Sequence, residues 1–199
     1  MSALNLPPLP PVGGELTGRS AVDVITGQHR ELLVLCDRLT ADRRREVADV
    51  VIATLSRHLS TEEQYLYPAV RRTVPDGEAI TARELAEDHD LLVTLRGLDG
   101  VRPDDARFDR LAGAVTEAVR RHVEADASEL LPLLEQMVPV EDLIRVGNRI
   151  ETAAEAAPTR PHPAAPSTPP WNKVVDPVVA VVDKARDAVS RRTTYPADL

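Results

Sequence analysis

From about position 20 to position 140, apolar residues recur at intervals of three and four, the period of helices that bury one stripe. The first stripe reads Val22, Ile25, His29, Leu32, Cys36 and Leu39 and predicts a helix over 20–39. Ser20 stands as its N-cap, with Asp23 in the capping-box position. The second, Val47, Val51, Thr54, His58, Glu62 and Tyr65, predicts a helix over 44–73 that Pro68 should bend. Pro75-Asp76-Gly77 is a turn. A third helix over 80–98 carries Leu85, His89, Leu92 and Leu95 on its stripe. Gly97 to Pro103 breaks it. A fourth, over 104–138, carries Phe108, Leu111, Val115, His122, Asp126 and Leu133. A short fifth helix is expected over 140–156.

Beyond Ala157 the pattern changes. Pro158, Pro161, Pro163, Pro166, Pro169 and Pro170 make a semi-extended linker. Asp176-Pro177 then reads as N-cap and first residue of a helix whose Val178, Val182, Ala185 and Val189 share one narrow face. That face can dock on the bundle, on a second copy or on another protein, so residues 172–193 are a candidate for partner contact or self-association. The expectation is an all-α chain: an up-down-up-down four-helix bundle with a short fifth helix, a Pro-rich linker and a C-terminal amphipathic helix. Its divisions are a flexible Pro-rich leader over 1–19, the bundle over 20–157, and linker plus tail over 158–199.

Composition narrows this further. Hydrophobic residues are 43% of the chain but aromatic ones only 3%, so the core is aliphatic, which suits helix-on-helix packing better than a β-sandwich. A net charge of −8 with no basic stripe argues against a nucleic-acid partner. A single cysteine, Cys36, excludes an internal disulfide framework and fits a reducing compartment. No apolar run is long enough to span a membrane, and no secretion signal opens the chain, so a cytoplasmic location is expected.

The chemistry lies in the stripes. His58 precedes Glu62 by four residues and His122 precedes Asp126 by four, so each imidazole shares a helical face with an acid. Pro68 and Pro132 each follow their histidine by ten residues, and Leu66 matches Leu130. A lone buried histidine is commonly a core residue bonded to backbone or water. Four of them, one on each bundle stripe, form a polar core that is costly unless its lone pairs converge on a cation. Burying Glu62 alone is costly in the same way. Two similar hairpins, His29 with His58 and His89 with His122, would give each of two metals two histidines, with Glu62 and Asp126 between them. Glu63, one position on, is expected at solvent or against a neighbouring helix. Tyr65 is either core or a hydrogen-bond donor to a bridging carboxylate. His162 lies in the linker, off the stripes. Imidazole and carboxylate ligands alone also admit zinc or manganese.

These residues resemble the hemerythrin-like, HHE cation-binding domains: His29, His58-x-x-x-Glu62, His89 and His122-x-x-x-Asp126 over roughly 20–140. The resemblance implies a non-haem centre of two iron ions, oxo- or hydroxo-bridged, held by His29, His58, Glu62, His89, His122 and Asp126. It implies an open position for O2, NO or peroxide. Two departures stand out. Oxygen carriers of the family have a histidine pair four apart on the third helix, where this chain has Leu85 and His89. Their last acid follows its histidine by five, where this chain has Asp126 at four. A site short of ligands favours sensing or peroxide chemistry over reversible carriage. Three readings follow: a di-iron binder or sensor, a di-iron peroxidase or catalase-like enzyme, and a metal-poor interaction module acting through its tail.

Overall fold

The computed structural model describes residues 16–42, 44–165 and 171–199, without the side chains of 171–175. Most of the expected leader and part of the linker lie outside the described residues. The fold is all-α. Helix α1 (Ala21–Asp42) is followed by α2 (Arg45–Thr61), a π-turn over Glu62–Leu66 and α3 (Tyr67–Thr73). Then come α4 (Gly77–Leu98), α5 (Phe108–Ala125), a second π-turn over Asp126–Leu130 and α6 (Leu131–Met137). The short fifth helix is α7 (Val140–Ala154), and the tail forms α8 (Trp171–Ser190). In the bundle α2 and α3 act as one bent helix, as do α5 and α6. Around the ring, α1 packs on α2 and α5, while α4 packs on α3 and α5.

The capping box is formed: Asp23 N–H donates to Ser20 Oγ at 3.1 Å and the hydroxyl donates to the Asp23 carboxylate at 2.7 Å. Helix α7 lies against the entry to α1, and the approach is close because residue 147 is glycine. A Cβ there would meet the Arg19 carbonyl oxygen at 2.3 Å.

The two π-turns are the local feature that the apolar spacing does not reveal. In each the chain takes one extra residue into the turn, and the backbone N–H of Tyr67 donates to Glu62 O, as that of Leu131 does to Asp126 O. Pro68 and Pro132 follow directly, where the wider turn absorbs the missing donor and the ring's bulk.

The apolar interior has two clusters. One contains Leu32, Leu39, Leu55, Leu95, Phe108 and Val119; the other contains Ile25, Leu66, Tyr67, Leu130, Leu134 and Ile150. Between them along every bundle helix sits a polar layer. His29 falls between Ile25 and Leu32, Glu62 between Leu59 and Tyr65, and His122 between Val119 and Leu130.

One expected stripe is rotated. On α4 the buried positions are Ile80, Thr81, Glu84, Asp88, Leu91, Leu95 and Leu98, so Asp88 faces inward and His89 is exposed. The helix has apolar residues on two faces. Leu85 and Leu92 belong to the second, which the linker and α8 cover.

The tail docks with its polar side inward. Ser60 Oγ and Gln64 Nε2 donate to Asp176 at 2.7 and 2.9 Å. The backbone N–H groups of Thr159 and Arg160, and His162 Nε2, all converge on Asp183 Oδ2. Asp187 takes the Arg160 guanidinium at 2.7 Å, and Arg192 reaches Asp49 at 2.8 Å. Asp176 lies inside the helix, not at its cap, because α8 begins at Trp171, and its carboxylate bonds Ser60 of α2 and Gln64 of the π-turn. Val178, Val181, Val182 and Val189 face outward.

Candidate metal centre

Four helices and two π-turns bring three imidazoles and three carboxyls into the polar layer. Helix α1 contributes His29, α2 contributes His58, the π-turns begin with Glu62 and Asp126, α4 contributes Asp88 and α5 contributes His122. All six are buried. The rings of His29, His58 and His122 meet edge to face, with centroids 4.9 to 5.3 Å apart. One ligand atom from each of His29, His58, Glu62 and His122 lies within 4.8 Å of every other, a partial metal-binding cluster. His58 Nε2 is 3.3 Å and His122 Nε2 3.5 Å from Glu62 Oε2. Asp126 Oδ2 is 3.6 Å from His29 Nε2 and 3.8 Å from His122 Nε2.

Orientation of the rings is fixed from outside. His58 Nδ1 lies 2.8 Å from Gln28 Oε1, an acceptor, so Nδ1 carries the proton and Nε2 turns its lone pair inward. Tyr67 donates its hydroxyl to Asp88 Oδ2 at 2.7 Å and lies 3.5 Å from Glu62 Oε2. Tyr65, read as either core or donor, packs into the apolar cluster. The π-turn is the reason, since an extra residue in the turn brings position 67 back over Glu62.

Burial dominates the electrostatics. It lowers His29 to about 3, with His122 adding to the effect, lowers His122 to about 4, and holds His58 well below the usual imidazole range. It raises Asp126 to about 7 and pushes Glu62 and Asp88 well above ordinary carboxyls, each further raised by its acidic neighbours. Every group is driven to its neutral form. Three unprotonated imidazoles then face three acids that a positive ion would ionise.

The donor set fits a metal. His29 Nε2, Glu62 Oε1, Asp88 Oδ1 and both Asp126 oxygens are buried without a hydrogen-bond partner. Buried polar atoms are seldom left so, and here they point into one layer.

Of the residues expected to ligate, His29, His58, Glu62, His122 and Asp126 are together. His89 is not. It lines a separate cavity on the outer face of α4. Its place in the layer is taken by Asp88, with Glu84 one turn earlier, also buried and bonded to Arg83. The sequence signal for this pair is an acid at 84 and another at 88, the spacing at which carriers have histidines. Glu63 is buried rather than solvated, because the linker and α8 lie over it.

Among the described residues no helix is long and apolar enough to cross a membrane. No solved structure gives a significant match. An uncharacterised hemerythrin-like protein of Schizosaccharomyces pombe is 24% identical over 138 residues, covering 69% of this chain and 68% of its own length. The sequence model of the hemerythrin HHE cation binding domain matches residues 20–134, the span that contains all six inward-facing donors. With that match added to the bundle and its histidine layer, the chain belongs to the hemerythrin HHE cation-binding family.

Proposed function

We propose that the bundle unit, residues 20–157, binds two iron ions in its polar layer and responds through them to O2, NO or peroxide. The observation that carries this reading is the set of unpartnered buried lone pairs on His29, Glu62 and Asp126. The donor count supports two ions rather than one. Three imidazoles and three carboxyls would fill a single six-coordinate ion and leave it no open position, whereas shared between two ions they leave room for a small ligand. His29, His58, Glu62, His122 and Asp126 would hold the ions, with Asp88 in the position expected for His89. Bound iron supplies redox activity and a position for a small ligand. The protein's own part is to exclude water with the two apolar clusters, to aim His58 through Gln28, and to hold the Tyr67 proton against Asp88.

Metal analysis and an absorption spectrum of untagged protein test this. About two irons per chain with charge-transfer bands are expected, as in a carboxylate-bridged bundle site. Folded protein that takes up no iron would overturn the reading. Hydrogen peroxide consumption that vanishes with Glu62→Gln would move the role from sensing to turnover.

A second role is favoured by one observation, the outward valines of α8, of which Val189 is 88% exposed. We propose that this face makes the partner contact or self-association expected of 172–193. Sedimentation of Val181→Lys/Val189→Lys protein, compared with the parent, tests it. Identical assembly and identical captured partners would remove it.

A further inference from the structure

Away from the metal layer, on the outer side of α2 and α4, linker residues between Pro158 and Ala165 and Asp176 of α8 line a cavity of about 70 Å3. A single water needs roughly 10–15 Å3 on this measure, so the space takes a small organic molecule. Glu63 and Asp176 line it from different elements, the first π-turn and α8. Both are more than nine-tenths buried. Glu63 has no hydrogen-bond partner among the described residues. Asp176 receives Ser60 and Gln64 on one oxygen, and among the described residues no cation pairs with it. Arg160, the cation in the wall, is already engaged by Asp99 and Asp187.

Among the described residues neither buried carboxyl has a counter-charge, an arrangement that suits a positive occupant. The geometry says what kind. Among the described residues, the acids and imidazoles whose ligand atoms close to within 4.8 Å are those of the layer already described, and Glu63, His89, His162 and Asp176 form no such group. A bare metal ion would leave most of them out of reach. Leu85, Leu92 and Pro158 supply apolar wall beside the acids. An ammonium head has three donors, enough for both carboxyls and a ring nitrogen of His89 or His162.

We propose that this cavity is a binding site for a small protonated aliphatic amine, its head held by Glu63 and Asp176 and its chain laid against Leu85 and Leu92. The site is independent of iron, and it gives the linker and tail a ligand to close over.

Calorimetric titration of the full-length, iron-loaded protein with n-butylammonium at neutral pH tests this, with n-butanol as the uncharged comparison. Saturable binding of the amine, and none of the alcohol, is expected. Glu63→Gln and Asp176→Asn should each weaken it at least about ten-fold, the loss expected when one member of a buried charge pair is removed. Because Asp176→Asn also loosens the tail, Ala165→Leu is the second variant. It fills the cavity from the linker without altering charge, and should abolish binding. Iron content should stay constant throughout, which separates this site from the metal centre. No saturable binding, equal affinity for the alcohol, or equal affinity in all variants would overturn the proposal.

Discussion

His58 Nε2 and His122 Nε2 lie 3.0 Å apart, and each ring stands one helical turn ahead of a buried acid. Gln28 holds the His58 proton on the far nitrogen, so two ring nitrogens at this distance need a proton or a cation between them. Glu62 completes that arrangement from the first residue of the π-turn. Glu62→Gln should therefore lose bound iron while the metal-free protein keeps its helical content, because the neutral amide suits a dry layer at least as well as the acid. Iron content and circular dichroism of the variant check this. Retention of the parent's iron would remove Glu62 from the ligand set.

Asp88 and His89 are neighbours with opposite environments, and they give a paired prediction. Asp88 is fully buried against Tyr67 and His122, whereas His89 is exposed on the other face of α4. Asp88→Asn should lower metal affinity by roughly 10–100-fold, the range for loss of a group that supports or completes a metal site. His89→Ala should leave it unchanged. Competition against a chelator measures both, and the reverse order would restore His89 to the site.

The α4 register explains what could and could not be read from the sequence. Helices α1, α2 and α5 each carry one apolar stripe, and His29, His58 and His122 lie on it, so pattern and chemistry agree. Helix α4 has Leu85 and Leu92 on one face and Leu91, Leu95 and Leu98 on the other. Apolar spacing alone does not choose between them. What chooses is that Asp88 has His122 and Tyr67 to face across the bundle, a tertiary fact. The tail misleads by the same logic. Val178, Val182 and Val189 look like a face for the chain's own bundle, but Asp176, Asp183 and Asp187 find donors on the bundle and linker and turn inward. The π-turns left a trace, a proline six residues after each acid, which apolar periodicity cannot express.

Asp183 is the centre of the tail's attachment, taking two backbone N–H groups and His162. Asp183→Ala would strand those buried donors, at about 1–3 kcal/mol. Helix α8 should then open more often, with faster amide exchange over 176–190 while α1 and α5 keep their protection. Exchange that accelerates equally in the bundle would mean that the tail is part of the core and not an attached strap.

The direction of the site's pH dependence follows from its shifted groups. In the metal-free protein burial lets Asp126 keep its proton up to about 7, and holds Glu62 and Asp88 well above the ordinary carboxyl range. The unfolded chain releases those protons at ordinary carboxyl values. Across that window the folded state holds more protons than the unfolded one, so stability falls as pH rises. The histidines act oppositely. Between about 4, where His122 titrates, and the usual imidazole range, the unfolded chain binds protons that the fold refuses, and stability rises with pH. The two effects oppose each other in mild acid. Above neutrality the histidines contribute no slope and the carboxyls act alone, each by at most about 1.4 kcal/mol per pH unit. The melting temperature of chelator-treated protein should thus fall as pH rises above about 7. Iron-loaded protein should resist the fall, since its acids are already ionised against the metal. Glu62→Gln should flatten the metal-free slope. A metal-free melting temperature that rises over this range would show that the layer's acids are ionised without a cation, and the neutral-layer description would fail.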